Sequence, residues 1–157
     1  MSKSTLRRML IPIGVLVVLV AVASGCGSSG GGGPKIAFLL PENETPRYEA
    51  HDRPEFEENV EAECEDCEIL YNNANEDASK QQSQAESALT QGAEVLVVDP
   101  MDAKSAAAIA EKAKAQNVPV VSYDRLIENA EVDAYVSYVN EEVGELQGET
   151  LAKRLKE

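Results

Sequence analysis

Two short strings in this 157-residue chain combine charge and shape in a way suited to recognition. Asp124-Arg125 places a carboxylate beside a guanidinium, and Arg47-Tyr48 places a guanidinium beside a phenol ring. A carboxylate accepts hydroxyl hydrogens, and Arg donates to ring and hydroxyl oxygens, so the pairing suits a polyol. Each such charged hydrogen bond is worth roughly 1.5–3 kcal/mol. Tyr48 adds a flat apolar face for the C–H side of a ring. Asp99, Asn140, His51 and Asp52 are further polar candidates. Each has a plainer reading. Asp99 precedes Pro100 and suits a turn, Asp124 and Arg125 suit an ordinary loop ion pair, and His51 suits a solvated loop. No nucleophile–His–acid set can be assembled around one histidine, so the chain reads as a non-enzyme with no metal or cofactor.

The cysteines pose a separate question. Cys64-Glu65-Asp66-Cys67 permits a small structural disulfide, a redox-active pair or part of a zinc site. Glu63, Glu65, Asp66 and Glu68 crowd the thiols with negative charge and disfavour thiolate. Zinc needs two more ligands, and His51 is the chain's only histidine. The disulfide closes a tiny loop, so its entropic stabilisation is modest.

The first 25 residues read as an address. Lys3, Arg7 and Arg8 form a basic region, and Met9 to Ala23 is an apolar run broken only by Pro12 and Gly14. That run is short for a membrane span and normal for a signal segment. A plain secretory signal and an uncleaved anchor both remain open alongside a lipid-modification site at Cys26. Residues 26–34 are a Gly/Ser-rich tether, and residues 35–157 form the folded part. Export would place Cys64 and Cys67 in an oxidising compartment. The formal net charge is −14, and all 28 acidic residues follow Cys26. Such a surface repels phosphate backbones, which argues against nucleic acid as a partner. The hydrophobic fraction of 43% is globular rather than disordered, and with 4% aromatics and no Trp the core must be aliphatic.

These groups need elements to position them. Lys35 to Leu40 reads as a buried strand ended by Pro41, followed by a long loop to Arg53. Pro54 to Ala62 is a weak acidic helix. Glu68 to Asn72 is a second strand. Asp77 to Gln91 is a helix with Asp77 as cap, Ala78, Ala85, Ala88 and Leu89 on one face, and Gly92 past its end. Val95 to Val98, apolar on both faces, reads as a central parallel strand. Asp102 can cap a helix over Ala103 to Gln116, with an apolar stripe of Ala106, Ile109, Ala110 and Ala113. Val118 to Tyr123 and Tyr135 to Tyr138 complete the strands, and Glu141 to Lys156 is a last helix. This order predicts an α/β fold, a doubly wound, mostly parallel sheet with helices on both faces. Ligands of such sheets bind outside the carboxyl ends of the strands, where these polar groups fall.

Three stretches carry a resemblance. They are Gly92 to Pro100 (GAEVLVVDP), Val118 to Ile127 (VPVVSYDRLI), and Tyr135 to Asn140 (YVSYVN) with Val143 to Gln147 (VGELQ). Together they resemble the periplasmic sugar-binding proteins of ABC transporters, the type I periplasmic binding proteins, in particular the xylose-binding branch. Ala23-Ser24-Gly25-Cys26 resembles the bacterial lipobox. The resemblance implies that Arg47 hydrogen-bonds a sugar, Tyr48 stacks on it, Asp124 and Arg125 bind hydroxyls and ring oxygen, and Asn140 assists. Tyr48 stands where that branch usually has Trp. Gly144 and Gln147 match the family on a helix and read as packing.

The resemblance further implies a monomeric receptor, lipid-anchored through Cys26 to the outer face of the cell membrane. It would pass a monosaccharide, with a xylose-like pentose favoured, to ABC permease subunits. A sensor feeding a membrane kinase or chemoreceptor and a thiol-redox lipoprotein using Cys64/Cys67 are the competing readings. A sugar-responsive transcription regulator would need a basic helix-turn-helix before Lys35, and a phosphoacceptor at Asp99 would need a cytosolic donor. Family members have two lobes, so the chain reads as one lobe, truncated before the second. It is expected to be marginally stable and to bind sugar at about millimolar strength or not at all.

Overall fold

The computed structural model describes residues 32–156. The signal segment, Cys26 and most of the tether lie outside the described residues.

The elements are β1 (Lys35–Leu40), α1 (Arg53–Glu63), β2 (Glu68–Asn73), α2 (Ala78–Thr90), β3 (Val95–Val98), α3 (Ala107–Lys114), β4 (Val120–Tyr123), β5 (Ala134–Val136) and α4 (Asn140–Arg154), with a π-helical turn at Tyr48–Asp52. The strands form one sheet in the order β2-β1-β3-β4-β5. Every neighbouring pair is parallel. This is the doubly wound α/β topology that the alternation of elements predicts.

Period-two alternation splits β1 between two cores. Ala37 and Leu39 face α2 and α3, packing with Leu96, Val98, Val120, Ala85, Ala88, Ile109 and Ala113. Phe38 and Leu40 face the other way, toward Tyr48, Val97 and Phe56 of α1. The first core is alanine-rich on its helical side, which lets α2 and α3 lie close to the sheet. The second is aromatic: the Phe38 and Phe56 rings stack with centroids 4.2 Å apart.

Several boundaries differ from expectation. The segment after β1 is not one long loop: it winds into the π-helical turn, with Glu42 accepting the Thr45 N–H at 2.8 Å. The α3 helix begins at Ala107, not Ala103, because Asp102 accepts the Ser105 N–H at 2.7 Å and closes a separate turn first. Asp77 does cap α2, accepting from the Ser79 and Lys80 N–H groups. Gly144 and Gln147, read as packing, are exposed on α4, and nothing lies within 4 Å of where a Gly144 Cβ would stand.

Cys64 and Cys67 form a disulfide that closes the turn between α1 and β2. The chain passes this turn so closely on its way into β1 that a Cβ on Gly33 would stand 1.7 Å from the Asp66 carbonyl oxygen. Only glycine fits there, so the tether is already seated on the domain by Gly33. The disulfide precedes β2 and sits at the amino edge of the parallel sheet, the edge opposite the strand exits.

Candidate functional site

The carboxyl ends of β1, β3 and β4 bring the two strings together. The Arg47 Nη2 donates to Asp124 Oδ2 at 2.7 Å. The Tyr48 hydroxyl donates to the same oxygen at 3.1 Å and accepts from Arg125 Nη2 at 3.2 Å. Residues 77 positions apart therefore share one rim. Its location follows from topology: β1 and β3 are adjacent, and the chain leaves them in opposite directions, which opens a crevice at their exits.

Asp124 sits in the left-handed region at φ 56°. A non-glycine residue holds that conformation only where its surroundings over-determine it. Here the Asp124 N–H donates to the Val136 carbonyl at 2.8 Å. Its own carbonyl accepts from Ser137 Oγ at 2.8 Å and from the Tyr135 hydroxyl at 3.1 Å. Buried Ser122 fixes the next residue, donating to the Arg125 carbonyl at 2.7 Å and accepting the Ile127 N–H at 2.9 Å. Both side chains of the Asp-Arg string thus project from a tied-down backbone.

Tyr48 corrects the expected stacking role. Its ring is only 2% exposed and belongs to the aromatic core, so it offers the rim a hydroxyl rather than a face. Tyrosine suits this, with an apolar body and a polar tip. Two rings at the rim are open to solvent, Tyr138 and Tyr135, each about half exposed. Arg47 lies between Tyr48 and Tyr138, its guanidinium carbon 4.9 Å from the Tyr48 centroid and 5.0 Å from that of Tyr138.

Asp52 also joins the cluster, its Oδ2 3.2 Å from Arg47 Nε. Burial opposes the charge on Arg47, but the Asp124 hydrogen bond and the Asp124 and Asp52 charges outweigh it and raise its pKa. Burial raises the Tyr48 phenol, and the Asp99 charge adds to the effect. Tyr123 is raised by burial and by its bond to Asp52. Both phenols are therefore neutral donors across the physiological range. His51 and Asn140 stay outside this network: His51 faces solvent 3.8 Å from Glu55, and Asn140 is exposed at the start of α4.

Asp99 does more than end a strand. Its side chain is fully buried, and neither carboxylate oxygen accepts a hydrogen bond of ordinary geometry. Arg125 Nε stands 3.8 Å away. Burial pushes the acid up to about 7, against the pull of Arg125 and Tyr48. Its backbone is fixed by Gln81, a buried glutamine of α2. Gln81 donates to the Asp99 carbonyl and accepts from the Met101 N–H, both at 2.8 Å.

Sequence reasoning did not single out Gln81 or Tyr138 for the site, and it named Asp52 only as one polar group of the segment after β1. Gln81 interrupts an otherwise small, apolar helix face, and that break in pattern was its available signal.

The rim therefore presents guanidinium donors, a carboxylate acceptor, phenol hydroxyls and open aromatic faces. A periplasmic binding protein domain matches residues 36–157. The D-xylose-binding periplasmic protein of Haemophilus influenzae is 39% identical over 90 residues, 57% of this chain and 27% of that protein. The ribose import binding protein RbsB of Bacillus subtilis is 33% identical over 95 residues, 60% of this chain and 31% of that one. The matched stretch thus spans less than a third of these curated relatives. Among solved structures, a carbohydrate transporter solute binding protein from Chloroflexus aurantiacus in complex with D-glucose superposes with a TM-score of 0.69 at 30% identity, covering 77% of this chain and 36% of that one. An ABC transporter solute binding protein from Clostridium phytofermentans with bound β-D-glucose gives 0.70 at 27% identity, covering 78% and 37%. With a matching domain over most of its length and a lobe of that fold in its sheet, this chain belongs to the periplasmic binding protein family.

Proposed function

We propose that this chain supplies a ligand-gripping lobe of an exported, non-enzymatic carbohydrate receptor serving ABC-type import. The ligand is a monosaccharide, with a xylose-like pentose favoured. The single observation that carries the reading is the meeting of Arg47, Tyr48, Asp124 and Arg125 on one rim of a chain from this family. The side chains of Arg125, Arg47 and Asp124 are partly open, at 41%, 31% and 18% exposure, so a polyol can reach them while they stay tethered to one another. Relatives named for D-xylose and for ribose support the choice of an aldose. A second lobe would close over the sugar from the other side. The basic start, apolar run and Cys26 favour a lipid anchor on the outer face of the membrane, with the permease subunits as partners.

Titration calorimetry against D-xylose, D-ribose, D-glucose and L-arabinose tests the ligand. We expect heat from an aldose, weakened roughly 10- to 100-fold by Arg125→Ala, the value of one charged hydrogen bond. Heat from an amino acid with none from any aldose would sink the assignment. Incorporation of labelled palmitate, lost in Cys26→Ala, tests the anchor.

A further inference from the structure

The least explained group near the rim is Asp99. A buried carboxylate normally accepts hydrogen bonds; neither oxygen of this one accepts a bond of ordinary geometry, and its ion-pair partner, Arg125 Nε, stands 3.8 Å away. Its main chain, by contrast, is pinned on both sides. The Asp99 N–H donates to the Leu39 carbonyl at 3.0 Å, and Gln81 holds its carbonyl and the Met101 N–H. The side chain is thus presented at a fixed place on the core side of Arg125. Arg125 bridges the two regions: Nη1 reaches the Pro100 carbonyl at 3.4 Å, Nη2 reaches the Tyr48 hydroxyl, and Nε faces Asp99 Oδ1.

We propose that Asp99 is a positioning residue: its buried negative charge, held in place by Gln81, sets the pose of the Arg125 guanidinium against Tyr48 and Asp124, and loss of that charge loosens the rim. The binding consequence rests on the carbohydrate reading above; the positioning itself does not.

The groups facing Asp99 are Arg125 after β4, Asp124 beside it, and Tyr48 and Arg47 from the segment after β1. Glu42, from that same segment, faces Arg125 and is held low, burial being outweighed by the Thr45 hydrogen bonds. Burial raises Asp99 itself to about 7. A proton arriving there near neutrality removes the charge behind Arg125 while Asp124 keeps its own partners. The holding effect is therefore present above about pH 7 and lost below it.

The test follows the Arg125 Nε–Hε resonance by NMR from pH 5.5 to 8, in a His51→Gln background that removes the only histidine. We expect an inflection near pH 7 that Asp99→Asn abolishes, leaving the variant at the acid-limit shift throughout. No inflection, or one that persists in Asp99→Asn, overturns the proposal. The wild-type titration alone decides the matter if the variant does not fold. In parallel, D-xylose affinity should fall about tenfold in Asp99→Asn at pH 8 and match wild type at pH 5.5. Equal loss at both values overturns a charge-based role. An NMR inflection abolished by Asp99→Asn, with heat from an amino acid and none from any aldose, supports the positioning and overturns the carbohydrate reading instead.

Discussion

The β1–β4 body and the β5–α4 end of this chain are built from similar residues and treated very differently. In the body, Phe38, Leu39, Leu40, Leu96 and Val98 are all but inaccessible to solvent. At the other end, α4 buries no residue, and Leu151 and Leu155 are 61% and 79% exposed. The helix has good formers, glutamates in its first turn, and Lys153 and Arg154 in its last, which suits the helix dipole. Among the described residues, its apolar side chains have no core to enter. Local propensity can write a helix without writing a core, and most helical stability in proteins comes from packing.

The sharpest way to break this contrast is to truncate a leucine at each end. Leu96→Ala in the central strand should cost about 2–5 kcal/mol in chemical denaturation. Leu151→Ala should change stability by less than about 0.5 kcal/mol, as an exposed substitution does. Equal losses would mean that α4 is packed in solution and the contrast is false.

Next in size is a pH effect confined to the body. Asp99 holds its proton up to about 7 in the folded state, whereas an unfolded Asp releases it near pH 4. The folded form therefore binds the extra proton across that window, and this group's contribution to stability falls as pH rises from about 4 to 7. Asp99→Asn should flatten that slope in a series of thermal melts and raise the Tm at pH 8. Such a variant would be more stable yet grip ligand less well, the trade expected where a site keeps an uncomfortable charge.

Smaller effects follow at the body's edges. Reducing Cys64–Cys67, a bridge spanning three residues of sequence separation, should cost about 2 kcal/mol by loop-closure entropy. Melts with and without reductant would read it, and an unchanged Tm would show that the turn is held by packing alone. Asp77→Ala should cost about 1 kcal/mol, since it strips two N–H groups of α2 of their acceptor.

Much of the body was legible from residue patterns. Lys35–Leu40 and Val95–Val98 are marked by short apolar runs ended by proline, and α2 by a capping aspartate and the glycine after its end. These are local signals, acting within a few residues of the structure they specify. The start of α3 was less legible, because Asp102 caps a turn as readily as a helix and nothing nearby separates the two outcomes. The strand-exit rule placed Arg47, Tyr48, Asp124 and Arg125 at one edge. It could not say that Tyr48 turns its ring inward, since that depends on Phe38, Leu40 and Val97 leaving room for it.

Composition, periodicity and the Asp-Arg and Arg-Tyr strings are properties of neighbours in the chain, and they settled the fold class and the candidate residues. Which groups touch was decided only when parallel strands aligned their exits. That step gave Asp124 its left-handed backbone and its partners from β5, set Arg47 between two rings, and closed Asp99 away from water. Burial and charge pairing across 77 residues are sums over the whole packed lobe, and no window of sequence contains them.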